Sequence, residues 1–220
     1  MCGRVNASDH RGLQALLDHL GLKLDPARFT PRYNIAPGLP LIGAQWDGGP
    51  ELAVYEWGIV PPWARSGQFA RPLINARAET VWQKPAFRAL VRRYRALVPV
   101  NGFYEWRRGP RGRQPYHVTH AEHGALALAA LHQVSRDGVP QVCILTTAAN
   151  AAMAPIHHRM PVILAPEDLE AWLRGGDRAV LDAMMAPSPP EWLRIVPVSP
   201  YVNDARHEGP RCLEPAAVTA

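Results

Sequence analysis

The cysteine at position two is the residue whose type and place most directly suggest chemistry. Its small side chain predicts that Met1 is removed during maturation, so that the mature chain begins with Cys2. The α-amine and the thiol then lie on adjacent carbon atoms, with ordinary pKa values of about 7.7–8.0 and about 8.5. Free amine and some thiolate are therefore expected at neutral pH.

An N-terminal amine and thiol together support two kinds of reaction. The thiol can attack an acyl carbon with the amine as its base, as in N-terminal nucleophile hydrolases. Alternatively, the amine and the thiol can both add to one aldehyde carbon, first as an imine and then as a five-membered thiazolidine. A third interpretation assigns Cys2 no chemistry and treats it as a small residue after the initiator methionine. For Cys2 considered alone, that third interpretation is favoured.

The composition is that of an ordinary globular chain with a modest basic surplus. The 220 residues include 24 Lys and Arg against 19 Asp and Glu, which gives a net charge of +5. Such a surplus is compatible with a nucleic-acid partner but does not by itself predict one.

Cys2, Cys143 and Cys212 are widely spaced and form no C-x-x-C motif. The sequence therefore argues against a disulfide framework or a zinc site, and we expect no metal and no cofactor.

The elements that must position Cys2 are mostly strands. Apolar runs bounded by glycine, proline or charge predict strands over residues 41–46, 52–59, 94–104, 125–134, 142–147 and 193–198. Helical patterns cover residues 8–20, 80–93, 167–174 and 178–185, with Ser8 as the first cap. No regular crossover helices separate the strands. The sequence therefore predicts an α+β class with a mixed, largely antiparallel, barrel-like sheet flanked by short helices, in one domain over residues 1–220.

Six segments, in order along the chain, carry a family resemblance. They are M-C-G-R at 1–4, R-Y-N-I-A-P-G at 32–38, W-G-I-V-P-P-W at 57–63, I-N-A-R-A-E at 74–79, V-N-G-F-Y-E-W at 100–106 and I-H-H-R-M-P at 156–161. Together they resemble the SRAP family of SOS response-associated peptidases, now understood as abasic-site processing proteins. The resemblance spans nearly the whole chain.

The resemblance implies suicidal covalent capture of abasic sites in single-stranded DNA through Cys2. The crosslink would shield the lesion from strand cleavage and error-prone bypass, as a lyase-type enzyme of the DNA damage response. The word peptidase in the family's older name reflects a proposed self-cleavage that exposes the cysteine. An N-terminal-nucleophile peptidase or amidohydrolase therefore remains an alternative, and a DNA-binding module without chemistry is a third hypothesis.

The resemblance also implies four catalytic residues, namely Cys2, Asn75, Glu105 and His157. Glu105 would shuttle protons, Asn75 would hold the sugar hydroxyl or the amine, and His157 would donate a proton to the ring oxygen. Without the resemblance, Glu105 is a surface residue at a strand end and Asn75 a turn residue. The adjacent His158 leaves the identity of the catalytic histidine open.

A second set of residues is implied for DNA binding. Arg4 and Arg77 match the family's phosphate contacts, because a guanidinium fork fits two phosphate oxygens. The alternative for Arg77 is an ion pair with Glu79. Trp63 follows two prolines, where an exposed indole could stack on a base beside the lesion. The remaining predicted groove residues are Asn34, Pro37 and Thr147.

The expected partner is single-stranded DNA that contains abasic sites, with replication-fork components as further partners. No apolar stretch is long enough to span a membrane, and residues 1–4 show no secretion signal. We therefore expect a cytoplasmic protein that is nucleoid-associated when bound to DNA. Nothing in the sequence predicts an assembly larger than a monomer.

Overall fold

β-Strands account for most of the regular structure in the computed structural model, which describes residues 2–64, 72–110 and 112–216. Met1, whose removal the sequence predicts, and both ends of the predicted domain lie outside the described residues. In chain order the strands are β1 (Val5–Ala7), β2 (Arg32–Ile35), β3 (Pro40–Trp46), β4 (Pro50–Trp57), β5 (Asn75–Arg77), β6 (Arg95–Val100), β7 (Gly102–Gly109), β8 (Gly112–His120), β9 (Leu126–Val134), β10 (Pro140–Ala148), β11 (Arg159–Pro161), β12 (Ile163–Leu164) and β13 (Leu193–Pro197).

The helices are short and lie between the strands. The α-helices are α1 (His10–Asp18), α2 (Leu90–Arg93), α3 (Leu169–Arg174) and α4 (Arg178–Met184). Single 3₁₀ turns cover Ala78–Thr80, Pro166–Asp168, Pro190–Trp192, Pro200–Asn203 and Pro210–Leu213. Four of these turns begin with proline, whose fixed φ suits the first position of a helical turn.

Five strands of the larger sheet close into a ring. β10 pairs with β4, β4 with β3, β3 with β6, β6 with β9, and β9 with β10 again. The β10–β4 and β10–β5 pairs are parallel, and the other pairs of this sheet are antiparallel. Closure leaves these strands without open edges. The predicted α+β class, with a barrel-like and largely antiparallel sheet, is confirmed.

Strands of the ring bury both of their faces. In β10, Val142 and Ile144 belong to one core cluster, whereas Cys143 and Leu145 belong to another. Because successive side chains of a strand point to opposite faces, such a strand is apolar at every position rather than at alternate positions. The helices pack on the face that carries Cys143, and β1 and β7 pack on the opposite face.

The predicted strand over residues 94–104 is wrong in one respect, because it contains two strands in different sheets. The break between β6 and β7 falls at Asn101, which is buried. The Asn101 Oδ1 accepts from the Ser8 and Asp9 amides at 2.8 and 2.9 Å, and its Nδ2 donates to the Gly124 carbonyl at 2.8 Å. The amide therefore provides a polar junction where the chain passes from one sheet to the other.

Two helix predictions also need correction. The first helix covers His10–Asp18 rather than residues 8–20, and Asp9 rather than Ser8 caps it by accepting from two amides of its first turn. Residues 80–93 form turns followed by the single-turn helix α2, not a long helix. Pro85 lies in this segment, and a proline within a helix removes an amide donor and clashes with the preceding turn.

The smaller sheet has the strand order β13–β8–β7–β1–β2 and is antiparallel throughout. Phe103 of β7 faces the ring, whereas Tyr104 faces a small cluster formed with Val198, Val202 and Cys212. The C-terminal segment thus covers the outer face of this sheet. The start of the chain is consequently held between the ring and the smaller sheet.

Candidate active site

Cys2 lies in the core between the two sheets, beside the carboxylate of Glu105. The exposed fractions of Cys2 and Glu105 are 0% and 3%. The core cluster around Cys2 includes Phe103 of β7 and Met160 of β11. The negative charge of Glu105 acts directly on the thiol. A thiol and a carboxylate thus lie together in a buried part of the protein.

The electrostatics of the Cys2 thiol follow from this burial. Burial raises the pKa of the Cys2 thiol far above its ordinary value, and the negative charge of Glu105 raises it further. A backbone hydrogen bond from Arg4 opposes the rise in pKa only in part. The thiol therefore stays protonated at neutral pH, in contrast to the thiolate fraction expected for a free N-terminal cysteine.

Strand pairing explains why Glu105 meets the start of the chain. Val5 of β1 pairs with Phe103 of β7, and the Tyr104 amide donates to the Arg4 carbonyl at 2.9 Å. Alternation along β7 places Glu105 on the same face as Phe103, toward Cys2. Tyr104 points to the opposite face of the sheet.

Arg4 points to the outer face of β1, where a buried asparagine holds it. The Arg4 Nη1 donates to the Asn34 Oδ1 at 2.6 Å and to the Val202 carbonyl at 2.9 Å. Asn34 Nδ2 donates to further carbonyls of the C-terminal segment, and the exposed fraction of Asn34 is only 1%. Burial lowers the pKa of Arg4, although a guanidinium remains charged. Asn34 therefore positions Arg4. The predicted direct contact of Asn34 with DNA stays a prediction.

The strands β5 and β10 carry the next predicted residues. Asn75 begins β5 opposite Ile144, and Arg77 ends it, exposed, opposite Thr146. The buried Asn75 Oδ1 has no hydrogen-bond partner among the described residues, and its Nδ2 contacts the Ile144 carbonyl at 3.5 Å. Buried polar atoms are normally satisfied, so this oxygen is an acceptor that a bound hydroxyl or amine would satisfy. Thr147 follows on β10 and is buried.

His157 lies just before β11 and has an ordered ring. Its Nδ1 accepts from the Arg159 amide at 3.0 Å and lies 3.1 Å from the Arg159 carbonyl. The ring stacks on His158 with centroids 4.4 Å apart. His158 is exposed, and repulsion from His157 is the largest cause of its lowered pKa. Of the two candidates, His157 is thus the one that the backbone fixes.

A residue that the sequence interpretation missed fixes the position of this segment. Arg159 forms a bidentate pair with Glu79 at 2.6 and 2.9 Å, and it also donates to the Thr146 carbonyl at 2.7 Å. The suggested pairing of Glu79 with Arg77 is thus replaced by a pairing with Arg159. Arg159 and Glu79 both lie within the matched segments, so the sequence marks each residue as notable. Nothing in the sequence indicates that the two form a pair.

The two predicted loop residues are exposed. Pro37 lies in the turn between β2 and β3, and Trp63 has an exposed fraction of 53%. The start of the Trp63 loop is held at Val60, whose amide donates to the Gln141 Oε1 at 3.1 Å and whose carbonyl accepts from the Gln133 Nε2 at 2.7 Å. The indole of Trp63 is thus exposed just after a segment that Gln133 and Gln141 anchor.

The predicted residues fall into neighbouring groups. Cys2 and Glu105 are buried between the sheets, and Asn75, Arg77, Thr147 and His157 lie on or beside β5, β10 and β11. Ile144 and Met160, which belong to these strands, share the core cluster of Cys2, so the two groups surround one part of the core. Arg4 and Asn34 lie behind β1, and Pro37 and Trp63 lie on loops.

In residues 2–64, 72–110 and 112–216, no three His, Cys, Asp or Glu side chains are grouped so that they could hold a metal ion. None of the helices in the same part of the chain is both long and apolar enough to cross a membrane.

The fold and the site define a mixed α+β protein in which Cys2 lies beside a buried carboxylate, next to strands that carry asparagine, arginine and histidine. The family model described as SOS response associated peptidase (SRAP) matches residues 1–205. The chain belongs to the SRAP family.

Similar proteins include several that are named abasic site processing proteins. YoqW of Bacillus subtilis (strain 168) is 33% identical over 224 residues, which cover 97% of this chain and 99% of YoqW. YedK of Escherichia coli (strain K12) is 30% identical over 98% of this chain and 100% of its own length. HMCES of Gallus gallus is 29% identical over 98% of this chain and 78% of its own length.

Solved structures share the fold. A protein from Bacteroides thetaiotaomicron has a TM-score of 0.84 at 22% identity, with 98% of this chain and 100% of that chain covered. A phage-related protein from Bordetella bronchiseptica has a TM-score of 0.71 at 27% identity, with 90% and 94% covered. The single-domain α+β architecture thus recurs in both structures.

Proposed function

We propose that this protein senses abasic sites in single-stranded DNA and bonds to them covalently through Cys2 after Met1 is removed. The adduct is a thiazolidine that shields the lesion during the DNA damage response. The observation that carries the proposal is that Cys2 and Glu105 are both buried and that the charge of Glu105 acts on the Cys2 thiol. Membership of the SRAP family and the names of the relatives supply the substrate class.

The first steps of the reaction involve the sugar. An abasic deoxyribose is mostly a closed hemiacetal, and ring opening moves a proton to the ring oxygen and uncovers the aldehyde. His157 suits this transfer because its Nδ1 has a partner in either protonation state. The neutral ring accepts from the Arg159 amide, and the cationic ring donates to the Arg159 carbonyl. Asn75 Oδ1 accepts from the sugar hydroxyl or from the Cys2 amine.

The bond-forming steps involve Cys2. The free amine adds to the aldehyde carbon and gives a carbinolamine, which loses one water to form the imine. Glu105 then accepts the thiol proton, sulfur adds to the imine carbon, and the nitrogen takes up a proton as the five-membered ring closes. One water leaves overall, with no oxidant or reductant. General acid–base catalysis of this kind contributes about 10²–10⁴-fold in rate.

DNA recognition is assigned to charge and stacking around the site. Arg77 is exposed at the end of β5 and contacts a phosphate, and Arg4 contacts the next phosphate while Asn34 holds it. Trp63 stacks on a base beside the lesion. Pro37 and Thr147 line the groove. Such a protein acts in the cytoplasm, at the nucleoid when bound, with replication-fork components as further partners.

Incubation with a single-stranded oligonucleotide that carries one abasic site tests the proposal. We expect a heat-stable band on a denaturing gel, with the mass of DNA plus protein lacking Met1 minus one water. Cys2→Ala should abolish the band, and Cys2→Ser should leave only a reversible imine. Cys212→Ala, a change at another buried cysteine, serves as the matched control and should crosslink fully.

Three outcomes would contradict the proposal. A heat-stable crosslink in Cys2→Ala would exclude the thiazolidine. Absence of a crosslink in a sample shown to begin at Cys2, together with hydrolysis of a peptide, would support the N-terminal-nucleophile peptidase instead. If Cys2→Ala retained every activity, a DNA-binding module without chemistry would remain.

A further inference from the structure

A cavity of about 710 Å³ lies on a different part of the molecule from the candidate active site. It is bounded by α1, the turn between β8 and β9, β12 and the 3₁₀ turn Pro190–Trp192. Its lining includes none of the residues assigned above to catalysis or DNA binding. Small-molecule sites in proteins occupy about 300–1,000 Å³ and are mostly apolar with a few polar groups. This cavity has both properties, with Leu16, Ile163 and Leu164 among its apolar lining residues.

Aromatic rings form one wall of the cavity. The rings of His120 and His123 lie 4.3 Å apart, and the His120 ring lies 5.9 Å from Trp192. The His120 Nδ1 accepts from the Glu122 and His123 amides at 3.1 and 3.0 Å, which fixes the orientation of this ring. Burial lowers the pKa of His120. The indole of Trp192 attracts cations through its π face.

Apart from its histidines, the ionisable side chains that line the cavity are all acidic. Glu122, Glu167 and Glu191 lie at its rim, and all three are exposed. The lining contains no lysine and no arginine, although the whole chain carries 24 of them and a net charge of +5. A concave surface lined by one sign of charge raises the local concentration of ligands of the opposite sign. Nucleic acid is therefore repelled here, and a cation is attracted.

We propose that this cavity binds a small organic cation with a flat apolar body. The body packs against Trp192 and the apolar floor, and the cationic group lies between the ring faces and the three carboxylates. This site is independent of the Cys2 chemistry. Substitutions in the cavity should leave crosslinking unchanged, and substitutions of Cys2 should leave binding in the cavity unchanged.

Three indole derivatives that differ in charge provide a matched test. Tryptamine is a cation, tryptophol is neutral and indole-3-propionate is an anion, and all three carry the same ring. Each is titrated into the full-length protein while the amide resonances of α1 and of residues 120–125 are followed by NMR. We expect tryptamine to bind about fivefold or more tightly than tryptophol, and the anion to bind least.

Two variants keep the test decisive. The triple variant Glu122→Gln, Glu167→Gln and Glu191→Gln should bring the three affinities close together without loss of fold, because all three side chains are exposed. Trp192→Ala should weaken all three ligands, and tryptamine most, because only the cation also loses its attraction to the π face of the indole. The proposal is overturned if tryptamine gives no saturable shifts at millimolar concentrations, if the anion binds as well as the cation, or if the triple variant keeps the charge preference.

Discussion

The Arg159 guanidinium joins Glu79 through two hydrogen bonds, with Nη1–Oε1 and Nη2–Oε2 distances of 2.6 and 2.9 Å. The Arg159 side chain is 11% exposed and that of Glu79 is 49% exposed, so one partner is buried and the other reaches solvent. The pair joins the turn after β5 to the first residue of β11. It thereby connects the segment of Asn75 and Arg77 to the segment of His157.

Glu79→Gln should lower the free energy of unfolding by about 1 kcal/mol at neutral pH, a value reduced for the solvent exposure of Glu79. The hydrogen bond from Arg159 is the largest cause of the lowered pKa of Glu79. A carboxyl with a lowered folded-state pKa stabilises the fold above its unfolded value of about 4.3, and this stability is lost as the pH falls through the folded pKa. Urea unfolding of both proteins across pH 3–7 should therefore show the difference disappearing in acid. A difference that stays constant with pH would contradict an ionic contribution.

Glu105→Gln should slow crosslinking by about 10²–10⁴-fold, because an amide cannot accept the Cys2 proton. Affinity for DNA that carries a tetrahydrofuran analogue of the abasic site, which has no aldehyde and cannot be crosslinked, should not change. Crosslinking rates from quenched time courses and binding by fluorescence anisotropy separate the two effects. Glu214→Gln, at an exposed carboxylate near the C-terminus, is the control. Equal losses of rate and affinity would make Glu105 a structural residue.

His157→Gln should slow crosslinking by about 10²-fold, whereas His158→Gln should leave the rate unchanged. The reason is that the backbone of Arg159 fixes His157, whereas His158 is exposed. Because His157 is the largest cause of the lowered pKa of His158, NMR titration of His157→Gln should show that pKa rising. A larger rate effect from His158→Gln would reverse the assignment.

Arg77→Gln should reduce the salt dependence of DNA binding. Loss of one phosphate contact on a single strand changes the slope of log K against log salt by about 0.7. Arg77 is exposed, so the thermal midpoint should not change. Binding of the tetrahydrofuran analogue is measured over a salt series, with Arg174→Gln on α3 as the control. An unchanged slope in Arg77→Gln would place the phosphates elsewhere.

Arg4 behaves differently from Arg77 in the structure, although the sequence assigned both to phosphates. Arg4 is half-buried and bonded to Asn34, whereas Arg77 is exposed. No local pattern distinguishes them, because each follows a small residue within a matched segment. The difference comes from the C-terminal segment, which packs over Asn34 and supplies its carbonyl acceptors.

The sequence by itself determined the family and the strand-rich class of the fold, and it predicted Cys2 as the nucleophile. Motif order and the position of Cys2 can be read from the sequence directly. A continuous apolar run indicates a strand that is buried on both faces, whichever strands it pairs with. The same locality led to one predicted strand over residues 94–104, since nothing in that run indicates that Asn101 separates two sheets.

Only the tertiary structure decided which residues meet. β1 pairs with β7 across about a hundred residues of sequence, which places Glu105 against Cys2 and keeps the thiol protonated. Arg159 meets Glu79 across 80 residues. Such contacts depend on strand register and on the order of strands in each sheet, and these are set by the packing of the whole chain rather than by the pattern of any one segment.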